Sequence, residues 1–322
     1  MLETLPLVLF IVMAEVSIGS FTVLVLLDWR NEVKRGFLIS YALIYLCLTG
    51  LTYLFQQSYA SPALLATYPL LDKAWIAYQT LPLLLFFLLM IPYNLLLLLD
   101  KKAGVEQKKE DVQSAAVRLS TVRLMRLVIG GLSVAAGLAT LLVMAMIFRP
   151  LAATNFASVF TVASFFAASL ALGGVLTAMW LGHWYLVTPA LSEKPLQFAT
   201  TLVLLGVLAQ VIFVVFAGPS TMHANQQATS TTVVAAPSSG ASATSREFVK
   251  PADVPSVTPL SPDAIGWIRI LVGFIMPLVL GGLAWKLVRD RSFQSATGML
   301  YLVVVCTLAG EAMGRGLFLV GL

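Results

Sequence analysis

The sequence predicts an all-α protein, a polytopic membrane bundle of about eight transmembrane helices that forms a single integral membrane domain over residues 1–322. Three observations predict this fold. First, 59% of the residues are hydrophobic and only 11% are charged, whereas a soluble domain carries about 25% charge. Second, apolar runs long enough to cross a bilayer recur along the chain. Third, basic residues concentrate in alternate connecting loops, as cytoplasmic loops do.

Each predicted helix is an apolar run close to the roughly 20 residues that span a bilayer. The first run is too long for the apolar region of a signal peptide, and no A-x-A-like cleavage site follows it, so we expect a retained helix. The fifth run is long, and we expect it to tilt or to extend into the interface. The eight runs cover residues 5–27, 37–55, 75–99, 127–148, 156–187, 198–217, 265–287 and 298–320.

The loops that follow helices 1, 3 and 7 carry most of the basic residues and are predicted to be cytoplasmic. The loops that follow helices 2, 4 and 6 carry only Lys73, Arg149, Arg246 and Lys250. Both termini are then extracytoplasmic, which agrees with an even number of helices. The basic residues of the three cytoplasmic loops are Arg30, Lys34, Arg35, Lys101, Lys102, Lys108, Lys109, Arg118, Arg123, Arg126, Lys286, Arg289 and Arg291.

One long loop, residues 218–262, separates helices 6 and 7. Ser, Thr, Ala and Pro dominate it and aromatic residues are scarce. Such a composition does not bury enough apolar surface to fold alone, so we expect a disordered low-complexity segment. The loop pattern places it outside the cytoplasm.

Composition also excludes several function classes. The net charge of +5 sits in short loops between apolar runs, so it does not indicate a nucleic-acid-binding face. Cys47 and Cys306 each lie alone in an apolar run, which predicts no iron–sulfur or zinc site. His183 and His223 are the two histidines. Because His223 falls in the polar loop, they do not form the axial pair of a membrane cytochrome, and no haem is expected.

Four charged residues stand out inside predicted helices, away from the basic cytoplasmic ends, where charge is costly and usually functional. Glu311 and Arg315 are four residues apart and share one helix face, and Arg269 is expected at a similar depth near the outer end of helix 7. Two interpretations stay open: a polar pocket for a quinone-like head group in which Glu311 exchanges protons, or a buried ion pair that fixes helix register. Two arginines against one carboxylate predict an excess positive charge. Glu15, among small residues in the middle of helix 1, is equally open between function and packing.

Weaker candidates are polar residues near helix ends. Gln56, Gln57 and Tyr59, at the outer end of helix 2, are candidates for hydrogen bonds to a quinone carbonyl, although polar residues are usual there. His183 lies among Trp and Tyr residues that indicate an interfacial belt, with a ligand or proton-transfer role as the alternative. Pro277 inside helix 7 predicts a kink, with or without a cavity beside it.

Several of these segments resemble the membrane anchor subunit of dimethyl sulfoxide reductase (DmsC) and the wider NrfD-like anchors. The residues that carry the resemblance are AGEAMGRGLF at 309–318, GWIRI at 266–270 and the stretch around Glu15. The resemblance implies a subunit of the bacterial cytoplasmic (inner) membrane that binds menaquinone or ubiquinone. It also implies an iron–sulfur partner subunit on the outer face, usually with a molybdenum catalytic subunit.

The chain departs from that family at two places. The family has a histidine near the outer end of helix 2 and an acidic residue in helix 3, where this chain reads QQSYASP and AWIAYQTLPLL. If the resemblance holds, the quinone site has changed or been lost. Three functions therefore remain as expectations: a quinone-interacting anchor of a respiratory oxidoreductase, a non-catalytic structural or assembly subunit of a respiratory or photosynthetic complex, and, with less support, a small-molecule transporter.

Overall fold

The predicted all-α membrane bundle is confirmed by the structure, a computed structural model that describes residues 4–100, 103–104, 121–152, 154–188, 192–217 and 262–319. Within these ranges every regular element is a helix, and eight helical spans are long and apolar enough to cross a membrane. Each of the eight predicted apolar runs falls on one of these spans. The predicted low-complexity loop, apart from Pro262, lies outside the described residues, as do residues 105–120 of the predicted cytoplasmic loop.

The helices are numbered in chain order. A 3-10 turn spans Arg149–Leu151, and a π-helix spans Ile270–Ile275. The helices are α1 Leu5–Arg30, α2 Arg35–Tyr59, α3 Pro62–Leu65, α4 Lys73–Ile76, α5 Thr80–Leu99, α6 Thr121–Phe148, α7 Asn155–Val187, α8 Lys194–Ala217, α9 Pro262–Arg269, α10 Met276–Arg289 and α11 Phe293–Phe318.

Helices α1 and α7 form the centre of the bundle. Helix α7 packs against α1, α8 and α11, and α1 also contacts α2, α6 and α11. The two central helices touch backbone to backbone, because a Cβ atom on Gly19 would lie 1.8 Å from the Ser169 carbonyl oxygen and one on Gly173 would lie 2.0 Å from the Gly19 carbonyl carbon. Small residues at a membrane interface allow this close approach.

The span that includes Pro277 changes its helical form in the middle. Pro277 has no N–H, so the carbonyl of Gly273 lacks its usual α-helical donor. The six residues Ile270–Ile275 just before it form a π-helix, a rare local widening that is frequent at functional sites. The predicted irregularity at Pro277 is thus a change of helical register, and it lies directly after Arg269.

Candidate functional site

A cluster of charged side chains lies inside the bundle near the end where α1 begins and α11 ends, which the loop charges predict to be the outer end. At its centre is Arg315. One terminal nitrogen of Arg315 donates to the Oε1 atom of Glu15, and its Nε lies 2.7 Å from Oε1 of Glu311. The guanidinium carbon also lies 3.9 Å from the centre of the Phe165 ring, a cation–π contact. Arg315 therefore holds two carboxylates from two helices.

The position of Arg269 follows from two close glycine contacts. A Cβ atom on Gly310 would lie 2.2 Å from the Cα atom of Gly273, so α11 and the π-helix cross at backbone contact. Arg269 is four residues before Gly273, and Gly314 is four residues after Gly310. The guanidinium of Arg269 fills the space over Gly314, where a Cβ would lie 2.6 Å from its Nε. This crossing places Arg269 beside Glu311 and Arg315.

These side chains line a cavity of about 140 Å³. Its polar wall is formed by the ionisable side chains together with Gln210, Thr161 and Ser164, and its apolar wall is largely aromatic. The Nε2 atom of Gln210 donates to Oε2 of Glu311 at 3.2 Å. The lining residues are Ala152, Ala157, Phe160, Thr161, Ser164, Gln210, Phe213, Val214, Arg269, Glu311, Gly314, Arg315 and Phe318.

The predicted excess of positive charge is wrong for the cluster as a whole. The sequence placed Glu15 in a separate helix without a partner, but its side chain, 0% exposed, pairs with Arg315 from behind the cavity wall. Two carboxylates therefore meet two arginines. Arg269 is the arginine with no carboxylate at ion-pair distance among the described residues, and its Nε is buried there without a hydrogen-bond partner.

The structure brings Arg269, Glu311 and Arg315 to one cavity, and it adds Glu15 behind them. Gln56, Gln57, Tyr59 and His183 do not line this cavity. The first of these is buried on α2 and donates at 3.4 Å to the Gln79 carbonyl, whereas the other three are exposed. The roles predicted for all these residues in binding or proton exchange stay predictions.

Sequence reasoning missed the residues of α7 that support the cluster. Ser169 donates from its Oγ to the carbonyl oxygen of Glu15 at 2.9 Å, and Phe165 lies beneath the Arg315 guanidinium. Gln210 on α8 also belongs to this supporting set, because its side chain reaches the Glu311 carboxylate. Serines and a phenylalanine in an apolar helix carry no individual signal, so only the positions of the neighbouring helices could identify them.

A second buried cluster lies at the opposite end of the bundle, and it corrects the interpretation of Arg126 as a loop residue. Arg126 is on α6 and fully buried. Its Nε and Nη2 atoms donate to the two carboxylate oxygens of Asp28 at 2.9 and 2.8 Å, and its Nη1 donates to Asp100 at 2.6 Å. Tyr93 donates to Asp28 at 3.0 Å. The cluster ties the ends of α1, α5 and α6 together, and none of its residues lines the cavity beside Glu311.

An exposed ion pair at that same end joins Arg291, after α10, to Glu193, before α8, at 3.0 Å. A hydrogen bond from its own backbone N–H and the Arg291 guanidinium lower the pKa of the Glu193 carboxyl. Glu193 is therefore an ionised glutamate outside the cavity, which makes it a suitable control position.

No protein-family model matches this chain, and neither a curated protein nor a solved structure gives a significant match. In the described ranges, no group of three or more His, Cys, Asp or Glu side chains is placed to hold a metal ion. The geometry of the cavity therefore carries the functional argument.

Proposed function

We propose that this chain is the membrane anchor subunit of a multisubunit respiratory oxidoreductase, and that it exchanges electrons between quinone or quinol and an iron–sulfur partner subunit. The observation that carries the proposal is the cavity at the predicted outer end, which is lined by both charged and aromatic side chains. A quinone head group matches this lining, because its flat ring is apolar and its oxygens are polar.

The size and lining of the cavity support a ring ligand. A buried cavity of about 150 Å³ accepts a benzene ring, and this one measures about 140 Å³. Phe160, Phe213 and Phe318 offer ring faces or edges to it, and Phe160 also packs on Phe216 with ring centres 5.8 Å apart. On the polar wall the buried Nε of Arg269 has no partner among the described side chains, so a ligand oxygen would satisfy it.

The named side chains have distinct tasks in this proposal. A quinol supplies electrons and protons when it is oxidised. Glu311 lines the cavity and accepts or returns a proton at its carboxylate, while Gln210 and Arg315 orient that carboxylate. Arg269 and Arg315 bind the ligand oxygen, and the phenylalanines exclude water from the ring. An iron–sulfur subunit docked at the outer end would supply the electron acceptor, and a molybdenum subunit would supply the next acceptor in a complex that has one.

The resemblance of 309–318 and 266–270 to NrfD-like anchors supports the same proposal, because both segments supply cavity residues. Arg269 comes from GWIRI, and Glu311 and Arg315 come from AGEAMGRGLF. The proposal places the chain in a bacterial cytoplasmic membrane with both termini extracytoplasmic. It assigns no role to Gln56, Gln57 or Tyr59, because they lie away from the cavity.

A second candidate is a non-catalytic structural or assembly subunit. It is favoured by the pairing of Arg315 with both Glu15 and Glu311, since a neutral, mutually paired cluster suits a device that fixes helix register. Transport is the least supported function, because Arg315 forms part of the cavity wall and the fully buried Glu15 lies behind it.

The substitution Glu311→Gln separates the first two candidates. If Glu311 exchanges protons, quinol-dependent turnover of the complex purified with its partners should fall about 100-fold or more, the usual loss for a general acid–base group, while the subunits still co-purify. Glu193→Gln, which removes an exposed carboxylate, should leave both unchanged. Normal turnover in an assembled Glu311→Gln complex would contradict the anchor proposal and favour the structural one.

A further inference from the structure

The cavity lined by Arg269, Glu311 and Arg315, called the outer cavity, has a balance of charges that limits the ionic form of its ligand. Among the described residues, the ionisable side chains that face Glu311 are Arg315 on its own helix, Arg269 from α9 and Glu15 from α1; the neighbouring helices α7 and α8 contribute the neutral Ser164 and Gln210. With all four groups ionised, the cluster is neutral. A ligand anion that enters would make it negative, and an unmatched charge inside a membrane is costly.

One proton taken up with the anion restores neutrality. Of the two carboxylates, Glu311 and Glu15, only the first is placed to receive that proton. Glu311 is on the cavity wall, where a ligand or water reaches it. Glu15 is completely buried behind Arg315, outside the cavity lining. It is also fixed through its backbone, since Ser169 donates to its carbonyl oxygen. Glu311 is therefore the carboxylate that can change its charge when the ligand arrives.

The arginines are arranged to tolerate that change. When Glu311 becomes neutral, Arg315 keeps Glu15 at ion-pair distance and keeps its contact with the Phe165 ring. Arg269 has no carboxylate at ion-pair distance among the described side chains, and it packs over Gly314 and beside the Phe274 ring at 5.2 Å. It is the cation available to a ligand oxygen that carries negative charge.

We infer that the cavity binds its ring ligand in an anionic form together with one proton, with Glu311 as the group that takes the proton and Arg269 as the group that binds the anionic oxygen. This inference rests on the proposed function and specifies the ionic form of its substrate. A quinol that has lost one hydroxyl proton is such a ligand. Glu15 is then a positioning residue, since it keeps Arg315 in place while the charge of Glu311 changes.

Two small ring compounds test the inference without any redox partner. Pentafluorophenol has a single ring and is an anion at neutral pH, and its methyl ether, pentafluoroanisole, has nearly the same shape but no charge. Each is titrated into the full chain in lipid nanodiscs, with empty nanodiscs as the reference. Fluorine NMR reports binding, and calorimetry in buffers of different ionisation enthalpy reports the protons taken up for each ligand bound.

We expect the phenolate to bind with one proton, so that its affinity falls about tenfold for each unit of rising pH above neutrality. The neutral ether should bind with no proton and no pH dependence. Glu311→Gln already carries a neutral side chain, so it should bind the phenolate with no proton uptake and with an affinity that does not vary with pH. Glu193→Gln should behave like the unmodified chain.

The outcomes separate the inference from the proposed function. Phenolate binding to the unmodified chain without proton uptake would overturn the inference and leave a ring-binding cavity in place. Proton uptake that persists in a folded Glu311→Gln variant would overturn the assignment to Glu311. If neither compound binds, both the inference and the proposed quinone site are wrong.

Discussion

Arg315 on α11 forms an ion pair with Glu15 on α1, although the two residues are 300 positions apart in the sequence. The same arginine approaches Glu311 and covers the Phe165 ring. One side chain thus connects the first and last described spans through the interior of the bundle, and its removal would leave two carboxylates there without a cation at ion-pair distance among the described residues.

Arg315→Ala should strongly destabilise the bundle. Removing one partner of a buried ion pair typically costs about 3–5 kcal/mol, because the remaining charge stays buried. The control is Arg291→Ala, which breaks the exposed pair with Glu193 and should cost less than about 1 kcal/mol. Thermal unfolding of the two variants in the same detergent measures the difference. Equal stability of the two would mean that the Glu15 and Glu311 carboxylates do not depend on Arg315.

Arg126→Ala should destabilise the opposite end of the bundle by a similar amount, since Asp28 and Asp100 both lose their guanidinium partner. Arg126→Lys should restore only part of the stability, because a single ammonium group does not reproduce the forked contacts of arginine. Amide hydrogen exchange should show the loss in the ends of α1, α5 and α6 that the Arg126 cluster joins. Binding of pentafluoroanisole to the outer cavity at low temperature should survive, and its loss would show that the two clusters are coupled.

Gly310→Ala should disturb the outer cavity without adding or removing charge. The new Cβ would lie 2.2 Å from the Cα of Gly273, so α11 and the π-helix must separate and Arg269 must move relative to Gly314. Overpacking of this kind typically costs about 1–3 kcal/mol. Gly298→Ala, on the same helix with nothing within 4 Å of the new atom, is the matched control. Unchanged ring binding and thermal stability in Gly310→Ala would argue against this crossing.

The loop charges predict that residues 218–262 and 101–126 lie on opposite sides of the membrane. Single cysteines at Ser239 and Ser114, in a background with Cys47 and Cys306 replaced by serine, test this arrangement. A membrane-impermeant thiol reagent applied to intact cells should label the first and not the second, and disruption of the membrane should expose both. Labelling of both positions in intact cells would refute the predicted topology.

The sequence was sufficient to predict the fold and part of the site. Apolar runs near 20 residues locate the spans because lipid requires each helix to satisfy its own backbone hydrogen bonds. The four-residue spacing of Glu311 and Arg315 predicts a shared face, and the loop pattern places Arg269 at a similar depth. These properties depend only on the spacing of residues and the order of segments along the chain, so they can be predicted from a single sequence.

Pairings between helices that are distant in the sequence could not be predicted in this way. Nothing near Glu15 indicates that its partner is Arg315 rather than Arg269. Small residues such as Gly19 and Gly310 permit a close helix contact, but they do not indicate which helix makes it. The same limit applies at the inner end. Arg126 directly precedes an apolar run, so its charge suggested a loop, whereas two aspartates from other helices allow it to be buried.

The two buried clusters also constrain how the chain is made. Helix α1 is synthesised first of the described spans and carries both Asp28 and Glu15, but the partner of the former arrives with α6 and that of the latter only with α11. A charged residue at a helix centre costs about 2.5–3.5 kcal/mol during insertion, so a nascent bundle that lacks α11 holds an uncompensated carboxylate in its interior. We therefore expect the position of α1 to become fixed only when α11 has been inserted and Arg315 can pair with Glu15.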